Sequence, residues 1–416
     1  MGGRLRTFHS WILQAHLFRL RDSLAESLQK FGRHHETTTR KFGGHLKAAG
    51  TEATAADASS KRDVENSFNL SPADRTQGSP LTNNETLPTD PRELHAMWSR
   101  LSTAEKDALH RADPSIGNRD GIPQADRDYY NRKNFEAWMA QARAAEYDDP
   151  EQRDRVIADF KTIEKALAAP EGSPPRFLTR LDEDFRVIAV SVGNPDKTQN
   201  VVTYASGTGT NPNYIDKITD KAGKIRQAAL AADPKADTAV TIWMGDRADL
   251  PNHAIEKVPA ENGAQPLRSY HEGLRATHEG APSNNTLLGY SYGAVNAGYA
   301  ARQPLEADNI IFVGSFGTGV DRAADLRLAG VDPADMDKHV FSTMARHDSI
   351  QLMPKVHGPP PTRPEFGGTV FSADSERGSW TSLGWNPDAH GSYFDTSNQA
   401  LQNIGLIITG NGHLVT

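Results

Sequence analysis

The chain has 416 residues, 46 Lys plus Arg against 53 Asp plus Glu, and no cysteine. Without thiols there can be no disulfide framework, Cys-bound zinc, iron–sulfur cluster or Cys nucleophile, and a mild net charge of −7 argues against a general nucleic-acid binder. The length allows two or three domains, or one large domain with an extension, and a hydrophobic share of 37% indicates that part of the chain is not core.

Residues 1–50 stand apart. Nine basic residues (Arg4, Arg6, Arg19, Arg21, Lys30, Arg33, Arg40, Lys41, Lys47) face three acids (Asp22, Glu26, Glu36), a balance of +6 that leaves −13 for the remainder. Leu13, Leu17, Leu20, Leu24, Leu28 and Phe31 recur in steps of three and four, the apolar stripe of an amphipathic helix. Such a stripe can pack on its own chain, pair with a helical protein or a second copy, or rest on an acidic membrane surface. Trp11 to Phe18 is interrupted by Gln14 and His16, so it supplies neither a spanning helix nor a signal-peptide core. The expectation is a cytoplasmic protein, or one exported without a cleaved signal peptide. Residues 51–90 are rich in Ala, Ser, Thr, Asn, Asp and Pro and poor in large apolar residues, the composition of a flexible linker.

From Pro91 the pattern becomes globular. Ser102 with Glu105 is a capping box, and helical patterns run over about 125–147 and 150–169. This makes 91–180 a helical region that either caps or flanks the remainder of the chain. From about 185 the period changes. Apolar, β-branched runs occur at Phe185–Val192, Val201–Tyr204, Ala239–Met244, Thr286–Gly289, Ile310–Val313, Val340–Thr343 and Thr369–Ser372. Helical stretches are read at about 213–232, 266–279, 292–303, 321–329 and 394–408. Alternation of this kind implies an α/β domain over 181–416, a mostly parallel sheet flanked by helices.

Gly289-Tyr290-Ser291-Tyr292-Gly293 matches G-x-S-x-G, the turn that exposes a nucleophilic serine between a strand and a helix. Small residues two positions either side let the two backbones approach, and the N–H of Tyr292 is presented beside the hydroxyl. With 34 glycines, about 0.2 matches are expected by chance, so the letters alone are weak. The apolar run before them and the helical pattern after them supply the strand–turn–helix setting that the motif requires.

The acid and the base should come after the serine, in that order. Asp348 stands at the end of the second strand past the serine; Asp325, Asp332, Asp337 and Asp388 compete with it. Among the histidines, His390 lies on the last loop, where it can swing over the serine; His347 adjoins the proposed acid, and His357 sits in a Pro-rich loop. A second oxyanion N–H is expected from Gly207 or Thr208, in the Gly-rich loop after an early strand. Trp243, Met244 and Phe316, at or just after strand ends, can line an acyl pocket or belong to the core.

Several strings together resemble one bacterial alpha/beta-hydrolase family known as a domain of unknown function. They are Ile116–Pro123 with Arg127 and Asn131, Val190–Asp196, Ser206–Thr210, Gly289–Gly293, Val313–Leu326 and His390–Tyr393. The resemblance covers about 91–410. It implies the hydrolase fold, carries the nucleophile onto Ser291 and the base onto His390, and carries the acid less firmly onto Asp348. This chain has Tyr290 where the family commonly has His, and Phe316 where it commonly has Pro. The front helix resembles, weakly, segments found ahead of such hydrolases in proteins of the type VII secretion route.

The expectation is a serine hydrolase acting on a small-molecule or lipid ester, without metal or organic cofactor. Its rivals are a non-catalytic or secretion-associated binding protein that keeps the fold, with residues 1–50 as its working part, and a lipase or phospholipase acting at membranes.

Overall fold

The computed structural model describes residues 87–416, apart from 148, 184, 208–211, 246–255 and 375–383. The amphipathic stripe, nearly all of the linker and Thr208 lie outside the described residues.

The strands are β1 Arg176–Leu181, β2 Ile188–Val192, β3 Asn200–Ala205, β4 Thr238–Met244, β5 Asn284–Tyr290, β6 Asn309–Val313, β7 Val340–Thr343 and β8 Thr369–Val370. They form one sheet in the order β1-β2-β4-β3-β5-β6-β7-β8. β2 is antiparallel to β1 and to β4, and every other pairing is parallel. This is the mostly parallel sheet expected from the strand–helix alternation, and it agrees with the alpha/beta-hydrolase fold that the family resemblance implies.

The helices are α1 Pro91–Trp98, α2 Thr103–Ala112, α3 Gln124–Ala144, α4 Pro150–Leu167, α5 Ile215–Ala232, α6 Lys257–Thr277, α7 Tyr292–Ala300 and α8 Gln399–Ile408. Side chains alternate across each strand, so two apolar layers lie on opposite faces of the sheet. On one face Val202, Val240, Leu288 and Ile311 meet Ile218 and Ile225 of α5 and Leu401 and Ile404 of α8. On the other, Val201, Leu287, Ile310 and Phe312 meet Leu267 and Leu274 of α6 and Val295 of α7. Burying each such aliphatic side chain is worth about 1.5–3 kcal/mol. Strands β2, β3 and β4 are buried throughout, which is why they read as runs of apolar and β-branched residues rather than as polar–apolar alternation.

The strings at 116–131 and 190–196 hold the helical region on the edge of the sheet. Arg127 is fully buried. Its Nε donates to the Thr179 carbonyl at 2.6 Å, and its guanidinium pairs with Asp120 at 2.8 Å. Asn131 donates to the carbonyls of Gly117 and Leu178. Buried Asp196 accepts from the Gln124 N–H at the start of α3 and from the Thr277 hydroxyl at the end of α6, both at 2.6 Å. Arg127, Asp196 and the Asn131 amide nitrogen are paired, as the cost of burying polar groups demands, while Asn131 Oδ1 is buried without a partner. The Ser102–Glu105 capping box is present, with the Ser102 N–H donating to Glu105 at 2.8 Å.

Two local expectations change. The sheet begins at Arg176 rather than near 185, because β1 is an edge strand in which Arg176, Thr179 and Arg180 break up the apolar residues, leaving no continuous apolar run. Phe185 falls in the hairpin turn between β1 and β2, where the Asp182 N–H donates to Val187 O at 2.9 Å. The helix expected over 321–329 is a single 3-10 turn, Ala323–Asp325. Beyond it the chain is drawn out alongside 301–307: Arg327 donates to Ala301 O at 2.7 Å, and Leu305 to Arg327 O at 3.0 Å. Leu326 and Leu328 are buried two residues apart, so extended pairing overrides local helix propensity there.

Candidate active site

Four loops at the carboxyl ends of the parallel strands converge, where open α/β sheets hold their ligands. The turn from β5 into α7 carries Ser291. Its backbone is at φ 55° and ψ −124°, a region that L-residues rarely occupy. The flanking glycines make the turn possible. A Cβ on Gly293 would lie 2.1 Å from Ala205 O, and one on Gly289 would lie 2.5 Å from Ala294 Cα. All nine residues of α7 are buried, which fixes the helix and the strained serine at its head.

Ser291 Oγ lies 2.9 Å from His390 Nε2, and His390 Nδ1 lies 2.8 Å from Asp348 Oδ2. Asp348 is fully buried in the loop after β7, and its Oδ1 accepts from the Ile350 N–H at 2.9 Å. Its Oδ2 also accepts from Tyr393 Oη at 2.6 Å, and that phenol oxygen accepts in turn from the Ala345 N–H at 2.9 Å. A carboxylate can only accept, so the His390 proton stands on Nδ1 and Nε2 is left to accept from the serine. The three residues expected from their order in the chain therefore come together.

The competing residues are placed elsewhere. Asp325, Asp332, Asp337 and Asp388 are exposed, and Asp332 caps a 3-10 turn. His357 is buried, with its Nδ1 3.3 Å from Tyr299 Oη and its carbonyl accepting from Thr318 and Gly319. The His347 carbonyl accepts from Asn386.

Tyr292 is the first residue of α7, and the N–H groups of a helix's first turn point to the end where the helix dipole favours negative charge. Gly207, after β3, approaches from the other side. A Cβ there would lie 2.9 Å from Ser291 Cβ and 3.4 Å from Oγ, so only glycine brings the backbone this near. Thr208, the other expected donor, is outside the described residues.

Ser291 and His390 open on a cavity of about 120 Å³, also lined by Tyr204, Gly207, Ile218, Lys221 and Tyr290. Trp243, Met244 and Phe316 are not among these residues. Trp243 is buried against the Tyr270 ring, Met244 lies in the core layer with Ile242, and Phe316 packs edge-on to His357. Among the described residues, none from 87–175 lines the cavity, and no three His, Cys, Asp or Glu side chains are placed as metal ligands. No described helix is long and apolar enough to cross a membrane.

Three contributors were missed in the sequence. Tyr290 stacks on the His390 ring, with centroids 5.0 Å apart, and its hydroxyl donates to the His390 carbonyl at 2.5 Å. Tyr393 holds Asp348. Burial, reinforced by the Asp348 charge, pushes both phenols up, so they remain donors throughout the neutral range. Lys221, on α5, sets its ammonium 5.0 Å from the centre of the Tyr290 ring and 5.3 Å from that of Phe394. The strings around Tyr290 and Tyr393 stood in the sequence as family features; nothing local marked Lys221.

Residues 182–358 match the family model for the alpha/beta hydrolases. An uncharacterised protein of Mycobacterium tuberculosis is 26% identical over 370 residues, which is 77% of this chain and 56% of that protein. This chain thus spans little more than half of that relative. An uncharacterised protein of Mycobacterium bovis is 27% identical over 220 residues, 51% of this chain and 77% of the other. Among solved structures, carboxyl esterase 2 of the fungus Tuber melanosporum is similar at 15% identity and a TM-score of 0.29, covering 55% of this chain and 83% of its own. The 2,6-dihydroxy-pseudo-oxynicotine hydrolase is similar at 12% identity and a TM-score of 0.32, covering 77% and 94%.

Proposed function

We propose that this chain, an alpha/beta hydrolase by its fold and by the match over 182–358, is a serine esterase with Ser291 as nucleophile, His390 as base and Asp348 as the acid that orients it. The observation that carries the reading is the relay from Ser291 Oγ through His390 to buried Asp348, at 2.9 and 2.8 Å, on a strained turn at the sheet's carboxyl edge. A passive serine in a Gly-rich turn would not need a histidine held in one tautomer against it.

In the proposed reaction Ser291 Oγ bonds to the substrate carbonyl carbon while its proton passes to His390 Nε2. The carbonyl π electrons move to oxygen, and the N–H groups of Tyr292 and of the 207–208 loop stabilise that oxyanion. Asp348 stabilises the imidazolium without taking its proton. Collapse of the intermediate expels the alcohol, which takes the proton from Nε2. Water then attacks the acyl-serine by the same route in reverse and releases the acid.

A fluorophosphonate probe tests this. Covalent labelling at Ser291, lost in Ser291→Ala and strongly reduced in His390→Ala, supports the reading. An unlabelled, folded wild-type protein would favour a non-catalytic module on the same fold.

A further inference from the structure

We propose that Lys221 is a specificity-determining residue, and that the preferred substrates are esters whose short acyl group carries an anion, such as half-esters of small dicarboxylic acids. The inference rests on the serine-esterase reading and adds a substrate class to it.

The cavity beside Ser291 and His390 has walls of aromatic and aliphatic side chains, and Lys221 is its one formal cation among the described residues. Its ammonium lies against the faces of Tyr290 and Phe394, which attract a cation without neutralising it. The carboxylates around it are engaged by other lysines: Asp395, whose charge also reaches Lys221, pairs with Lys224 at 3.8 Å, and Asp216, five residues back on α5, pairs with Lys165 at 2.8 Å. Burial, and secondarily the charge of Lys224, lower the pKa of Lys221, so its ammonium has lost water that an anionic ligand can replace.

An ammonium serving only to cover surface would lie along the protein with its charge in bulk water. This one is half-buried over the Tyr290 ring, and both Lys221 and Tyr290 line the cavity that holds the proposed nucleophile. The volume, about 120 Å³, has room for several waters, and so for a short acyl group. A carboxylate on such a group meets the ammonium while its ester carbonyl meets Ser291. A charge-assisted hydrogen bond in a partly desolvated site favours that substrate over its neutral analogue.

The test compares two 4-nitrophenyl esters of equal chain length, the valerate and the glutarate half-ester, corrected for spontaneous hydrolysis. In the wild type, kcat/KM for the half-ester should exceed that for the valerate tenfold or more. Lys221→Gln should lower that ratio at least tenfold, whereas Lys221→Arg, which keeps the charge, should retain most of it. Thermal melts of both variants establish that they are folded. A ratio unchanged by Lys221→Gln, or a wild type that favours the valerate, overturns the assignment while leaving the esterase intact. A folded wild type that cleaves neither ester and takes no fluorophosphonate at Ser291 overturns the esterase reading, and the role of Lys221 with it.

Discussion

Tyr393 Oη donates a 2.6 Å hydrogen bond to Asp348 Oδ2, the oxygen that also accepts from His390 Nδ1. The same phenol oxygen accepts the Ala345 N–H, so one side chain ties the end of β7 to the loop that bears the histidine. Tyr393→Phe removes both bonds and leaves the ring in place. We expect kcat to fall by about tenfold, about 1.4 kcal/mol in barrier terms, and stability to fall by about 1–3 kcal/mol, because buried acceptors and donors lose partners. Steady-state kinetics and denaturant melts measure the two effects.

Ser291→Ala and His390→Ala should each lower kcat by ~10⁴ or more with the fold retained, and the double variant should lose little beyond either one, because the residues act as a unit. Asp348→Asn should remove most activity, since its amide offers His390 a donor in place of an acceptor. Exposed Asp388→Asn should remove little. Strictly additive losses in the serine–histidine pair, or the reverse ranking of the two aspartates, would sink the assignment.

Gly207→Ala separates catalysis from folding. Its Cβ would crowd Ser291 Cβ at 2.9 Å, whereas the nearest backbone atom, Tyr290 O, would lie at an ordinary 3.4 Å. The expected result is a hundredfold or greater loss of kcat, the size of losing an oxyanion donor, with a small change in melting temperature. Gly293→Ala should instead compromise folding, because its Cβ would meet a backbone carbonyl at 2.1 Å.

Two buried groups give stability opposite pH trends in one window. Desolvation pushes the Asp196 carboxyl up from 3.8 to about 6, so the native state holds the extra proton. Its contribution is fully present below about pH 4 and is lost as pH rises through 6. Desolvation pushes His271 down from 6.5 to about 4, so the unfolded state holds the extra proton. Its contribution is present above pH 6.5 and is lost as pH falls through 4. Each slope is at most about 1.4 kcal/mol per pH unit. Relative to wild type, Asp196→Asn should gain stability as pH rises from 4 to 6, and His271→Phe should lose it. Urea melts at pH 4.5, 5.5 and 6.5 check both signs.

Deleting residues 1–86 keeps Leu87, which packs on the Trp98 cluster, and Asp90, whose carboxylate caps α1. We propose that the deleted arm serves partner choice rather than chemistry. The truncated protein should keep kcat/KM for a small ester within about threefold, about 0.65 kcal/mol, while its oligomeric state or its pairing with a helical partner changes, as light scattering would report. Unfolding on truncation would show the arm to be part of the core.

The sequence by itself located what local physics encodes. Strand period, helix period and the Gly-x-Ser-x-Gly turn are set by residues within a few positions of one another. That is why β3 to β7 and Ser291 are legible in the sequence alone. Asp348 and His390 could be ranked only by their order in the chain. Their pairing, like the demotion of His357 to packing and of Trp243, Met244 and Phe316 to the core, depends on which loops the sheet order brings to one edge. Side chains 42 and 99 residues apart then come within a hydrogen bond. Tertiary contact also decided where local preference was weak or misleading: β1, a polar edge strand, and 321–329, where backbone pairing with 301–307 replaced the expected helix. Lys221 lay furthest from reach. Helical spacing gives the side of α5 on which it sits, but only the packing of α5 against the β5 turn and the 390–394 loop turns that side toward the cavity of Ser291.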